Sequence, residues 1–207
     1  ATTNSTSDDL IVAESEKCRA KWFRGSEEDV LERYYLAAKE YKADVVVRVT
    51  SDCPLFDREV LTQMLNYFNT QRIEGQHIDY LSNALNCRSY PRGLDAEIFT
   101  FNALENTFLK ANELYEREHV TPYIYEHPEI FTSHSYRWEK DYSYYRWTLD
   151  TEDDFKLISN IYSELYKEEN IFTTDDVLSL LEGKPELIKI NAHVKQKTLE
   201  NKKLLTK

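Results

Sequence analysis

From Asp44 to Val49 the chain reads Asp-Val-Val-Val-Arg-Val; Pro54 follows, and then an amphipathic stretch from Arg58 to Phe68. A near-continuous β-branched run is how a parallel strand covered on both faces looks. Strand, loop and helix in that order form the repeating unit of an α/β sheet with right-handed crossovers. The unit recurs upstream. The spacing predicts a helix over Asp8–Cys18, a short strand at Trp22–Phe23, and a second helix that Ser26 caps with Asp29 three residues on. Val30, Leu31, Tyr34, Tyr35 and Ala38 give that second helix its buried stripe.

The same order continues downstream. Ile78–Leu81 reads as a strand, Tyr90-Pro91-Arg92-Gly93 as a turn, and Leu94–Phe99 alternates apolar and polar residues as a half-exposed strand does. Asn102 is placed to cap a helix over Ala103–Ala111, and Glu116–Glu126 reads as a helix interrupted or restarted at Pro122. Phe131–Arg137 and Tyr144–Leu149 read as strands. Thr151 then caps a helix with Asp154 at its third position and Phe155, Ile158, Ile161, Tyr162 and Leu165 on one face. A short helix over Thr174–Leu181 precedes a polar, lysine-rich tail from Lys184, in which Leu187–Ile190 is an apolar patch suited to docking or to an oligomer contact. The expected organisation is one α/β domain over 1–183 and a tail over 184–207.

Composition narrows the function. The 37 acidic residues outnumber the 26 basic ones, giving a net charge of -11 that repels a nucleic-acid backbone over most of the surface. Cys18, Cys53 and Cys87 are odd in number and show no CxxC spacing, so they suggest neither a disulfide framework nor a zinc site, and a reducing cytoplasm is the expected location. No apolar stretch approaches the roughly 20 residues of a membrane span, and no basic-then-apolar signal segment opens the chain. With four glycines there is no GxGxxG, no Walker loop and no GxSxG elbow, and HExxH is absent as well.

Two aspartates stand out. Asp52 follows the β-branched run in Ser51-Asp52-Cys53-Pro54, where Pro54 stiffens the turn, and Asp150 ends Trp147-Thr148-Leu149. If both segments are neighbouring strands, their carboxylates converge at the edge where open α/β sheets place ligands, and two hard oxygen donors there can hold Mg²⁺ against phosphates. Asp52 could equally cap the helix after Pro54. The acidic run Asp150 to Asp154 lies where a helix dipole favours anions without any catalysis. Asp95 and Glu97 share a strand face and could bind sugar hydroxyls or stay solvated. Arg48, inside an apolar strand, must pair with a carboxylate or aim at a ligand, and Arg146 poses the same choice.

Four ordered blocks, Phe23 to Asp57, Tyr90 to Glu105, Tyr115 to Phe131 and Arg146 to Phe155, resemble the cytidylyltransferase family of spore coat polysaccharide biosynthesis proteins (F type), relatives of CMP-Kdo and CMP-neuraminate synthetases. The resemblance implies a Rossmann-like nucleotide-diphospho-sugar transferase fold, with Asp52 and Asp150 as the catalytic pair that holds Mg²⁺. It implies cofactor-side roles for Arg48 and Ser51, and acceptor-side roles for Arg92, Asp95 and Glu97, with Arg48 also close to the acceptor side. Relatives open with a strand and a loop bearing Arg, Ser and Lys that wraps the nucleotide triphosphate. Nothing in this sequence matches it, so the chain is expected to lack that strand and clamp.

The activity so implied is transfer of CMP from CTP to a sugar acid or related sugar, with a homodimer as a further expectation. A glycosyltransferase using a nucleotide-sugar donor and the same cation is the alternative enzyme. A noncatalytic fragment or scaffold that binds through its surface, rich in the chain's 15 Tyr, is the alternative of another class.

Overall fold

The β-branched run forms a strand, β3 (Val45–Arg48), but all four of its residues are half-buried. In the computed structural model, which describes residues 1–86, 88–168 and 171–196, β3 lies at one end of the order β3-β5-β4-β6, with β4 at Tyr80–Ser82, β5 at Glu97–Thr100 and β6 at Ser133–Ser135. The covered strand is β5, expected to be half-exposed. Leu94, Ala96, Ile98 and Phe99 are all fully buried, and Glu97 is buried with them. Alternation misled here because the polar members of the pattern have ionic partners inside the protein: Asp95 pairs with Arg88 and Glu97 with Arg48.

The described residues divide into two compact units. One comprises 1–46 and 99–133, the other 47–98 and 134–196. In the first unit β1 (Thr2–Thr3) pairs in parallel with β2 (Arg24–Gly25), one to two residues beyond the strand expected at Trp22–Phe23. α1 (Asp9–Lys17) buries none of its residues, and Leu10 is 77% exposed. α2 (Val30–Glu40) buries Leu31, Tyr35 and Ala38 of the expected stripe. Its cap is Asp29, whose side chain accepts from the Glu32 N–H at 2.9 Å, while Ser26 accepts from the Asp29 N–H one turn earlier. Arg117 adds a second tie by donating from Nε to both oxygens of Asp29 at 3.0 and 3.1 Å. Thr100 rather than Asn102 caps α4 (Phe101–Lys110). The helix expected at Glu116–Glu126 is two, α5 (Leu114–His119) and α6 (Pro122–Glu126), parted at Val120, whose φ of 73° ends the first before Pro122 starts the second.

In the second unit α3 (Arg58–Ile73) buries Val60, Met64 and Phe68, and its cap is Asp57, not Asp52. The Asp57 carboxylate accepts from the Glu59 N–H at 2.7 Å, and from the N–H (2.8 Å) and hydroxyl (2.7 Å) of Thr174 at the start of α8 (Thr174–Gly183), so one side chain ties two helix beginnings together. The strand expected over Phe131–Arg137 shortens to β6. Tyr144–Leu149 forms no ladder strand, only an isolated parallel bridge between Arg92 and Arg146. Its remaining backbone bonds go to a turn and a loop, with Tyr145 N–H donating to Tyr142 C=O and Leu149 N–H to Asp52 C=O. α7 (Glu152–Leu165) buries Asp154, Leu157, Ile158 and Ile161, whereas Phe155 is 61% exposed. The helix is turned by its acidic residue: Asp154 must face inward to meet Arg146, and Phe155 is carried outward.

The tyrosines of this unit form a column of ring contacts running Tyr67, Tyr136, Tyr90, Trp138, Tyr142, Tyr145, Trp147, with centroids between 4.3 and 6.3 Å apart. They are packing elements with offset or edge geometry. Leu187–Ile190, read as a docking patch, is a 3-10 turn against α7 with Leu187 buried. Cys18 and Cys53 are free thiols; Cys87 and the tail beyond Gln196 lie outside the described residues.

Gly93 fixes how closely two of these segments run. Its φ is 102°, and a Cβ there would lie 2.5 Å from the Trp147 carbonyl carbon and 2.7 Å from the Thr148 nitrogen, both backbone atoms that cannot step aside. Gly93→Ala is expected to lower unfolding free energy by about 1–3 kcal/mol, read as an earlier urea midpoint. A midpoint equal to wild type would show that the close approach is not needed.

Candidate functional site

The site is assembled in the second unit from three stretches far apart in sequence. Asp52 leaves β3 in a loop whose own Thr50 hydroxyl donates to Asp52 Oδ1. Segment 146–150 runs beside that loop: Leu149 N–H donates to the Asp52 carbonyl at 2.9 Å, and Thr148 Oγ1 lies 3.1 Å from both the Asp52 carbonyl and Asp52 Oδ2. A hydroxyl has one proton, so Thr148 serves one of these oxygens at a time. The clasp brings the Asp52 loop against the two residues that precede Asp150.

Asp150 is held from the other direction. Its Oδ2 accepts from Arg146 Nη2 at 2.7 Å, and its side chain is 43% exposed. Arg146 also grips the fully buried Asp154 with two bonds of 2.8 Å, from Nε and Nη2. Period-two alternation puts Arg146, Thr148 and Asp150 on one side of an extended segment. The parallel bridge sets Arg92 next to Arg146.

Arg92 differs from its neighbours. Arg88 is neutralised by a two-bond pairing with Asp95, and Arg146 by Asp150 and Asp154, but the half-buried Arg92 guanidinium makes no hydrogen bond or ion pair among the described residues. Burial, together with the positive charges of Arg88 and Arg146, lowers its pKa, with Asp95 and Asp150 pulling the other way. A cation in this position favours an incoming anion. It also lines a cavity of about 140 Å³ with Arg146, Tyr145, Trp147, Asn191 and Gln196.

The other expected site residues are placed as follows. Arg48 pairs with Glu97, whose other oxygen takes the Tyr80 hydroxyl at 2.5 Å, so the charge within the strand is answered inside the sheet. Ser51 is exposed beside Asp52. Asp95 is engaged by Arg88, and its charge and that of Asp52 both act on the Cys53 thiol, which burial in the first place pushes up to about 11. Cys53 is therefore a protonated packing residue at neutral pH. Thr148, Arg88 and Asn191 escaped sequence reading. Thr148 alone carried a signal, as the middle member of the Arg146, Thr148, Asp150 alternation.

Magnesium bound together with nucleotide phosphates takes one or two carboxylates and completes its shell with phosphate oxygens and water. Asp52 and Asp150 fit that need: Asp52 Oδ1 accepts from Thr50 and from the Cys53 thiol and Oδ2 from Thr148, Asp150 Oδ2 accepts from Arg146, and each carboxylate keeps lone pairs for a cation on adjoining segments. No group of three or more His, Cys, Asp or Glu side chains is gathered as a metal site among the described residues. No helix of the described residues is long and apolar enough to cross a membrane.

Burial raises the Asp154 pKa, but hydrogen bonds from Arg146 and Asn191 and from the Asp150 backbone outweigh it and hold the group at about 2, below its ordinary 3.8. Because the folded value is the lower one, this contribution to stability is complete above the ordinary value and is lost as pH falls toward 2. In Asp154→Asn the fall in melting temperature between pH 4 and 2 is expected to be shallower than in wild type. An identical slope would remove Asp154 as the titrating group.

Comparison with known proteins gives the family. The chain is 38% identical over 203 residues to an uncharacterized protein of Methanocaldococcus jannaschii, covering 96% of this chain and 78% of the relative. It is 30% identical over 189 residues to the spore coat polysaccharide biosynthesis protein SpsF of Bacillus subtilis, covering 90% and 75%. A solved cytidylyltransferase from Leptospira borgpetersenii serovar Hardjo-bovis superposes with a TM-score of 0.83 at 34% identity, covering 95% of this chain and 78% of that one. Residues 1–184 match the cytidylyltransferase family, and with its Rossmann-like α/β fold this chain belongs to that family.

Proposed function

We propose that the chain transfers CMP from CTP to a sugar acid destined for a surface polysaccharide, and that Asp52 and Asp150 hold the Mg²⁺ the reaction uses. The observation that carries this reading is the clasp of Thr148 and Leu149 onto Asp52, which joins the two carboxylate-bearing segments next to Arg92, an arginine with no hydrogen bond or ion pair among the described residues. The name of the Bacillus subtilis relative supports the polysaccharide context.

In the reaction an acceptor hydroxyl oxygen bonds to the α-phosphorus of CTP as the bond from that phosphorus to the bridging oxygen breaks. Pyrophosphate leaves, and the hydroxyl proton passes to solvent. Bound Mg²⁺ supplies neutralisation of phosphate charge, without which the phosphorus repels an incoming oxygen. The protein's part is orientation. Thr50 and Thr148 fix the Asp52 carboxylate, and Arg146 fixes Asp150 through one oxygen. Ser51, exposed in the same loop, is placed to donate to a phosphate, and Arg92 to neutralise the acceptor's carboxylate. Arg48, Glu97 and Tyr80 form a paired group that sets the shape of the sheet end on the acceptor side, and Arg88 does the same for Asp95.

Incubation of the protein with CTP, Mg²⁺ and a sugar acid such as Kdo or N-acetylneuraminate should release one pyrophosphate per CMP-sugar formed. Release of a nucleoside diphosphate from a nucleotide-sugar donor, with no pyrophosphate from CTP, would assign a glycosyltransferase instead. Asp52→Asn is expected to lose on the order of 100-fold or more in kcat while melting like wild type; near-wild-type turnover at saturating CTP and Mg²⁺ refutes the assignment. Arg92→Ala is expected to raise the acceptor KM about tenfold or more, the value of a charge-assisted hydrogen bond, with a smaller effect on kcat. A KM equal to wild type would move the acceptor's carboxylate elsewhere.

A further inference from the structure

Past residue 184, where the family match ends, the chain continues as a strap over 187–196 that returns to the candidate site. Asn191 is 3% exposed and has one amide nitrogen directed at two targets: Nδ2 donates to the Arg146 carbonyl at 2.9 Å and to Asp154 Oδ1 at 2.8 Å. Gln196 accepts from Arg146 Nη1 through its side-chain oxygen. The strap therefore holds Arg146 by its backbone, by its guanidinium, and by the carboxylate that opposes it.

Arg146 is shared between two acids. Asp154 takes Nε and Nη2, and Asp150 takes Nη2 alone, through Oδ2 at 2.7 Å. Asp154 Oδ2 also accepts from the Asp150 and Thr151 N–H groups at 3.1 and 3.0 Å, so one buried carboxylate sets both the backbone and the side chain of Asp150. The division leaves Asp150 Oδ1 without a hydrogen bond among the described residues. If Arg146 turned its whole fork to Asp150, both oxygens would be occupied, because a guanidinium meets a carboxylate best with two parallel bonds. Asp154 prevents that turn, and Asn191 holds Asp154 and the Arg146 backbone in register.

We infer that Asn191, with Gln196 beside it, is a positioning residue: it locks the Arg146–Asp154 pair so that Asp150 presents one open oxygen to a divalent cation. The inference rests on the reading of Asp150 as a cation-binding carboxylate. It gives the strap a role in the chemistry of the site through the carboxylates it sets. Groups that orient a metal-binding side chain from behind commonly change metal affinity by 10–100-fold when removed.

The test uses the full chain and Mn²⁺ as probe, titrated in the presence of CTP and followed by the electron paramagnetic resonance of the free ion, with melting temperatures measured in parallel. Asn191→Ala is expected to weaken Mn²⁺ binding about tenfold at a temperature where it is folded, and to recover kcat as Mg²⁺ is raised. A variant that melts earlier but binds Mn²⁺ as tightly as wild type would reduce Asn191 to a structural staple and overturn the inference, leaving the functional reading intact. If Asn191→Ala does not fold, Gln196→Ala carries the test, because its side chain is exposed: weaker Mn²⁺ binding supports the inference and unchanged binding overturns it. A wild-type protein that takes up no Mn²⁺ with CTP would remove the cation reading of Asp150, and this inference with it.

Discussion

The candidate site depends on a short run of backbone that is not a strand. Residues 146–149 have one parallel bridge to Arg92 on one side and one hydrogen bond to the Asp52 carbonyl on the other, so they join the loop after β3 to the turn before β5. The side chains of the same run add to these backbone ties, with the Thr148 hydroxyl on Asp52 and the Arg146 fork on Asp150 and Asp154. Gly93 permits the close approach, because only a residue without Cβ can pass the Trp147–Thr148 peptide at that distance.

Charge is distributed unevenly across the chain. A protein with a net charge of -11 gathers Arg88, Arg92 and Arg146 in one place and gives two of them internal carboxylates. The third, Arg92, makes no hydrogen bond or ion pair among the described residues. An acidic surface around a local basic centre repels polyanions, while a small substrate that can enter the site gains from the nearby positive charge. This pattern suits a small anion better than a nucleic acid.

Much of the fold was legible from periodicity. The helical stripe Leu31, Tyr35, Ala38 and the strand at Val45–Arg48 follow from local spacing, as does the cap at Thr151. The pairing of Arg48 and Arg146 with carboxylates followed from their place in apolar runs, whereas the partners of Asp95 and Glu97, the inward turn of Asp154 and the loss of a ladder strand over Tyr144–Leu149 did not. Asp95 and Glu97 read either as sugar-hydroxyl ligands or as a solvated strand face, because the Arg48 that answers Glu97 is 49 residues away and nothing in the local pattern marks Arg88 as the partner of Asp95. Phe155 looked buried because hydropathy cannot foresee that Asp154 will claim the inward position. The same limit explains Asn191, whose bond to Asp154 spans 37 residues and leaves no periodic trace. The two aspartates were legible as candidates from their position after apolar runs, and the device that joins their segments was not.

The central claim is that Asp52 and Asp150 meet over one divalent ion. Crystals grown with CTP and Mn²⁺, with anomalous scattering collected at the manganese edge, test it most directly. The account expects a single peak bonded by one oxygen from each carboxylate, with the remaining positions filled by phosphate oxygens and water. A peak bonded by neither, or two peaks that assign the carboxylates to separate ions, would contradict it.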